Sequence, residues 1–190
     1  MALMGYLDLL QRWNDTYNLT SVRDRAAMLT QHLADCLAVV PALQRRPSLQ
    51  RLLDVGSGGG LPGVVLAALM PAVDVTCVDS VGKKVAFLRQ VAGALPLPNL
   101  HPVQARIESL RLPPFDLITS RAFATLADFV GLTRPLLAAG GSWMAMKGRR
   151  PDDEIASLPA GVEVFHVEQL IVPGLAAQRC LVWMRENVAG

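Results

Sequence analysis

One hundred and ninety residues, 52% of them hydrophobic and 18% charged, suit one domain of ordinary size, or one with a small appendage, and exclude a disordered chain. A formal net charge of +2 and a pI of about 8.6 permit an anionic partner without demanding one. No uninterrupted apolar run reaches the roughly 18–20 residues needed to cross a bilayer; the best candidate, Leu61 to Val73, contains Pro62, Gly63 and Pro71.

In chain order, Leu7, Leu10, Trp13 and Tyr17 recur at helical spacing, with Asp8, Arg12 and Asp15 off that face. The amino terminus lacks a basic run and Asp8 interrupts its apolar stretch, so a secretory signal is not expected. From about Ala26 to Leu43, the residues Leu29, Leu33, Leu37 and Val40 form a second helical stripe, punctuated by Pro41 and Pro47. Beyond Arg51, β-like runs alternate with helical ones. The expected strands are Arg51–Val55, Val73–Asp79, Leu100–Ala105, Phe115–Ser120, Ser142–Lys147, Val162–Glu168 and Cys180–Arg185. The expected helices lie near Pro62–Leu69, Gly82–Ala94, Leu126–Leu137 and Asp152–Leu158. This alternation predicts a parallel sheet covered on both faces. Only Val172-Pro173-Gly174 and a loop join the last two strands, which predicts a closing antiparallel hairpin. Cys36, Cys77 and Cys180 show no CxxC spacing and read as reduced, buried thiols of a cytoplasmic protein.

The most informative stretch runs from Leu52 to Gly63, where a strand enters glycines and then a helix start. Glycine accepts positive φ and lets a ligand touch the backbone, and a helix start offers unpaired N–H groups. Gly58, Gly60 and Gly63 spell GxGxxG, a dinucleotide signature, with Asp79 at the spacing of a ribose-binding acid. Counted instead from Asp54, the same loop reads acid-x-Gly-x-Gly-x-Gly. That resembles the first motif of class I S-adenosylmethionine-dependent methyltransferases. Asp79 would accept from the ribose hydroxyls in either case, or would cap the helix at Gly82. The reversed last strand favours the methyltransferase class, in which Ile107 and Glu108 stand where the adenine is read.

Further segments resemble one family: Trp13-Asn14-Asp15-Thr16-Tyr17-Asn18-Leu19-Thr20, His32-Leu33-Ala34-Asp35-Cys36, Asp79-Ser80 followed by Gly82-Lys83-Lys84, Ser120-Arg121-Ala122-Phe123-Ala124, and Met146-Lys147-Gly148. The chain is similar, from about Leu7 to Trp183, to the RsmG (GidB) family of bacterial 16S ribosomal RNA methyltransferases. The resemblance implies an α/β fold of class I methyltransferase type, with a seven-stranded mixed sheet and an antiparallel last strand. Residues 1–48 would be a helical segment packed on a methyltransferase domain of residues 49–190. It implies S-adenosylmethionine as cofactor, held by Gly56, Gly58, Leu61, Asp79, Ser80, Ile107, Glu108 and Arg121. The implied reaction is methylation at N7 of a guanine in the 530-loop region of 16S rRNA, within the small subunit or an assembly intermediate. A cytoplasmic monomer is expected. Two departures stand out: the amino terminus is short beside typical members, and Cys36 replaces a common Ser, a change expected to be neutral.

Guanine N7 carries a lone pair and no proton, so its methylation needs no general base. The sequence fits: His32, His101 and His166 are too scattered for a metal site or a triad. Arg121, at the carboxyl edge of the sheet, is expected to position the reactants by contacting the cofactor's carboxylate or an RNA phosphate. Its other reading is a partner for Asp116 or Asp128. RNA contacts are assigned to Arg12, Asn14, Asn18, Arg23, Lys147 and Arg149. Two readings compete with the methyltransferase: an NAD(P)-dependent oxidoreductase using the glycine loop, and a non-catalytic RNA-binding scaffold.

Overall fold

The structure, a computed structural model, describes residues 2–121, 123 and 125–187. Ala122 and Ala124 of the segment beginning at Ser120, and the last three residues of the expected methyltransferase domain, lie outside the described residues.

Helix α1 (Ala2–Tyr17) turns Tyr6, Leu7, Leu10 and Asn14 inward. Tyr17, expected on that stripe, is 44% exposed; the buried face leaves the helix one turn earlier, at Asn14. Helix α2 (Arg25–Gln44) starts at Asp24, whose carboxylate accepts from the Ala27 N–H at 2.7 Å. It contains a π-helical segment, Leu29–Ala34, whose wider turns rotate the apolar stripe. Met28 is therefore buried, while Leu29, expected inside, points outward. Among the described residues, by length and composition α2, and not the Leu61 region, is the apolar helix long enough to cross a membrane. Half of it is packed inside the fold, including Asp35 and His32.

Seven strands follow: β1 (Arg51–Val55), β2 (Asp74–Asp79), β3 (Leu100–Gln104), β4 (Phe115–Ser120), β5 (Leu137–Lys147), β6 (Val162–Leu170) and β7 (Arg179–Glu186). They form one sheet in the order β3-β2-β1-β4-β5-β7-β6. Pairs among β1 to β5 are parallel, whereas β7 runs antiparallel to both β5 and β6. The expected closing hairpin and reversed last strand are present. Strand β5 begins five residues before its expected start, because Gly140 and Gly141 mask the alternation there.

The connecting helices are α3 (Gly63–Leu69), α4 (Gly82–Ala94), α5 (Leu126–Thr133) and α6 (Asp152–Ala156). Alternating strand residues feed two cores. Leu52, Val75, Cys77 and Leu117 pack with α1 to α4 on one face. Leu53, Val55, Ile118 and Trp143 pack with α5 on the other. Burial of each large aliphatic side chain contributes roughly 1.5–3 kcal/mol, so the sheet's carboxyl edge rests on a firm base.

Candidate active site

At the end of β1 the backbone N–H groups of Gly56 and Ser57 both donate to the Val78 carbonyl, at 2.9 and 3.2 Å. This turns the chain across the tip of β2. Gly56 has φ +68°, and a Cβ there would meet nothing within 4 Å. The positive φ and the open space leave bare backbone facing a ligand. Gly63 serves a different end: a Cβ there would lie 2.2 Å from Cys77 Sγ and 2.8 Å from Asp54 Oδ2. The Asp54 carboxylate accepts from the Gly63 N–H at 2.9 Å, fixing the start of α3. Burial pushes the Asp54 carboxyl up to about 7, against the lowering by Gly63 N–H and nearby Arg121. Its Oδ1 is a buried oxygen without a hydrogen-bond partner among the described residues.

A cleft of about 230 Å3 opens above this turn, with Gly56, Asp79, Ser80, Ile107, Glu108 and Phe123 on its walls. Asp79 Oδ1 accepts from Val81 N–H at 2.9 Å, and Oδ2 from Gly58 N–H at 3.0 Å and Lys84 Nζ at 3.4 Å. The side chain thus ties β2 to the glycine loop, beyond merely capping a helix. A carboxylate has about four acceptor positions, so Asp79 keeps capacity for a hydroxyl group. Ile107 and Glu108 lie on a 3-10 turn, Ile107–Ser109, that forms another wall. Space over bare backbone, a carboxylate with spare lone-pair capacity and apolar flanks suit a nucleoside with a ribose diol.

A second, polar cleft of about 400 Å3 holds Arg121, His32, Asp35, Lys147 and Arg179. Asp35 is 3% exposed; it pairs with Arg179 Nε at 2.9 Å and Arg121 Nη1 at 3.8 Å. Two guanidinium groups share one carboxylate, which leaves positive charge for an anion. His32 Nε2 lies 2.8 Å from Thr20 Oγ1, and Nδ1 lies 3.4 Å from Arg121 Nη1. Arg only donates, which assigns the acceptor role to Nδ1 and the proton to Nε2. Burial first, and Arg121 second, lower the imidazole pKa, so the ring is neutral near pH 7. Phe123 lines the first cleft and also a small recess beside Arg121, Met146 and Lys147, so the clefts adjoin.

Residues 1–182 match the family model described as GidB, rRNA small subunit methyltransferase G. The chain belongs to the GidB family. It is 61% identical to the ribosomal RNA small subunit methyltransferase G of Leptothrix cholodnii (strain ATCC 51168 / LMG 8142 / SP-6), across 97% of this chain and 85% of that one. It is 58% identical to the same-named protein of Acidovorax sp. (strain JS42), across 96% and 85%. Among solved structures it resembles TrmN from Thermus thermophilus (TM-score 0.61, 22% identity, covering 80% of this chain and 48% of that one). It also resembles the glycopeptide N-methyltransferase MtfA complexed with S-adenosyl-L-methionine (TM-score 0.65, 15% identity, covering 81% and 94%). At these identities the structural likeness speaks for the fold: the class I methyltransferase sheet.

In this GidB-family chain the expected cofactor residues divide. Gly56, Asp79, Ser80, Ile107 and Glu108 meet at the first cleft, and Gly58 reaches it through Asp79. Leu61 is 3% exposed and packs in the core. Arg121 stands at the second cleft, partnered by Asp35 and not by Asp116 or Asp128, the acids of its alternative reading. Asp116 instead accepts from Gln50 and Arg51 N–H groups, and Asp128 sits in the cap of α5.

Of the expected RNA residues, Asn14 is inside the protein, 1% exposed. Its amide donates to Val22 O and accepts from Thr20 N–H, so it shapes the 18–24 loop and is not available to RNA. Arg12, Asn18, Arg23 and Arg149 are exposed, with Arg23 donating to Asn18 Oδ1. Lys147 lines the polar cleft, its ammonium held by Glu154 at 2.8 Å. Sequence reasoning missed Arg179 and Tyr6. Antiparallel β7 starts where the parallel strands end; it begins at Arg179, one residue before the expected Cys180, so the inferred hairpin could have pointed to this functional edge.

Proposed function

We propose that the chain transfers a methyl group from S-adenosylmethionine to N7 of a guanine in 16S rRNA, in the 530-loop region. The observation that carries this reading is the adjacency of the two clefts, one shaped for a nucleoside and the other for an anionic, hydrogen-bonding partner. The first cleft fits the cofactor by its own features: free space at Gly56 and spare acceptor capacity on Asp79. The strand order, with β7 reversed between β5 and β6, departs from the doubly wound dinucleotide order and speaks against the oxidoreductase reading.

When bound, the cofactor supplies an electrophilic methyl group on a sulfonium. Asp79 would hold the ribose, and the backbone at Ile107 would meet the adenine. Arg121 and Arg179, sharing Asp35, would orient a cofactor carboxylate or an RNA phosphate and so set the approach of N7. Because N7 has no proton to lose, alignment can carry most of the catalysis; positioning of this kind contributes up to about 7–11 kcal/mol. Neutral His32 serves to hold Arg121 and the Thr20 loop, not to take a proton. The modest net charge of +2 supports docking on a preformed small-subunit surface, with Arg12, Asn18, Arg23 and Arg149 at its edge.

Titration calorimetry with S-adenosylhomocysteine and with NAD tests the cofactor assignment. Saturable binding of S-adenosylhomocysteine, lost in Asp79→Ala, is expected. Binding of NAD alone contradicts it.

A further inference from the structure

Toward the start of β5, away from both clefts, the end of α2 and the sheet edge enclose a groove of about 550 Å3. Its ligand-like features come from four side chains. Arg46 lies over the Trp183 ring at 5.1 Å to the centroid, and Arg185 lies over Phe165 at 5.1 Å. Phe165 is 41% exposed, although β6 is the edge strand of the sheet. A register shift between Val164 and His166 makes Phe165 the extra residue of a bulge, which lets it, His166 and Glu168 all line the groove. Edge-strand bulges re-aim side chains in this way.

The charges are unequally satisfied. Arg45 is paired with Glu168 at 2.8 Å, and Arg185 with Glu163 at 2.6 Å. Among the described residues Arg46 has no carboxylate within salt-bridge distance, and its hydrogen bond there is to Ser142 Oγ at 3.1 Å. A guanidinium has five N–H donors, so a half-buried cation keeps unspent donors inside a concavity. Burial lowers the Arg46 pKa, against a smaller raising by the charge of Asp116. A ring that stays 41% exposed although Arg185 covers one face, beside such a cation, suits a group with both a phosphate and a π-system. The volume lies within the usual range for small-ligand sites, roughly 300–1,000 Å3.

We propose that this groove is a second RNA-contacting site, taking a backbone phosphate at Arg46 and an unpaired base against Phe165. It rests on the reading that the substrate is ribosomal RNA, and it lengthens the contact beyond the reacting guanine. Stacking of a base on an aromatic ring tolerates any sequence, so the groove would anchor a single-stranded stretch without selecting it.

The test uses the full chain and a fluorescein-labelled single-stranded RNA decamer of mixed sequence, read by anisotropy over a salt series. Phe165→Ala and Arg46→Gln are each expected to weaken binding fivefold or more. For Arg46→Gln, the slope of log affinity against log salt should also fall by roughly 0.7, one phosphate's worth. Melting curves and S-adenosylhomocysteine affinity should match the wild type in both variants, which separates this outcome from failure of the cofactor assignment. Wild-type affinity in both variants, or no decamer binding by the wild type, overturns the proposal. So does a loss confined to methylation of protein-containing particles, which would make the groove a protein contact.

Discussion

The Tyr6 hydroxyl donates to the Gly59 carbonyl at 2.7 Å, across 53 residues of chain. The phenol is fully buried, and Leu10, one turn on, would stand 3.2 Å from a Cβ at Gly59. Helix α1 therefore braces the glycine loop from below, while Trp13 packs on Phe87 of α4. Tyr6→Phe would strand the Gly59 carbonyl, at a cost of about 1–3 kcal/mol. Where the loop relaxes without unfolding, that cost appears as weaker cofactor binding. Calorimetry should show S-adenosylhomocysteine affinity down at least severalfold; unchanged affinity in a folded variant would remove α1 from the site.

Two glycines of one loop should fail differently. Gly63→Ala places a methyl group 2.2 Å from Cys77 Sγ, and overpacking of this kind costs typically about 1–3 kcal/mol, occasionally more. Gly56→Ala meets open space but must hold φ +68°, at about 1–2 kcal/mol, and its methyl intrudes on the ligand. Chemical denaturation should rank Gly63→Ala as the less stable. Calorimetry should rank Gly56→Ala as the weaker binder per unit of stability lost.

Arg121, the proposed positioning group, makes long contacts, 3.4 to 3.8 Å, to His32 and Asp35. The contact to buried Asp35 is long, and Asp35 keeps its 2.9 Å pair with Arg179, so losing Arg121 should cost little stability, on the order of 1 kcal/mol. Arg121→Gln should therefore lower turnover at least tenfold while the melting temperature moves by a few degrees at most. Removal of the cation also removes one cause of the depressed His32 pKa. The imidazole titration, followed by NMR, should move upward. Wild-type turnover in Arg121→Gln would contradict the assignment.

The raised carboxyl of Asp54 has a signature in stability. Its folded pKa, about 7, exceeds the ordinary aspartate value of 3.8, so between these values the folded state holds a proton that the unfolded state has lost. Stability from this group is complete below about 4 and declines as pH rises toward about 7, by at most about 1.4 kcal/mol per pH unit. Asp54→Asn keeps an acceptor for the Gly63 N–H and should flatten that decline. Denaturation at several pH values compares the two slopes; equal slopes would show that Asp54 ionises normally.

Strong local signals made the sheet readable from sequence. Apolar runs end in Asp54 and Asp79, glycines follow, and the hairpin without a helix announced the reversed strand. The helical segment was harder, because a π segment shifts phase without a composition signal. Leu29 and Met28 consequently exchange places relative to a 3.6-residue pattern. Asn14 looked like a surface residue because only tertiary structure shows its amide closing the 18–24 loop. Lys147 and Arg121 were placed at the correct edge, but their partners Glu154 and Asp35 come from distant segments that spacing does not connect.

Methyl transfer to small ribosomal subunits from a strain lacking the modification tests the central claim directly. With labelled S-adenosylmethionine, the account predicts about one methyl group per particle, mapped to N7 of a single guanine in the 530-loop region of 16S rRNA. It also predicts that Asp79→Ala abolishes the signal. No transfer to either free 16S rRNA or assembled subunits, or label at a different atom, would contradict it.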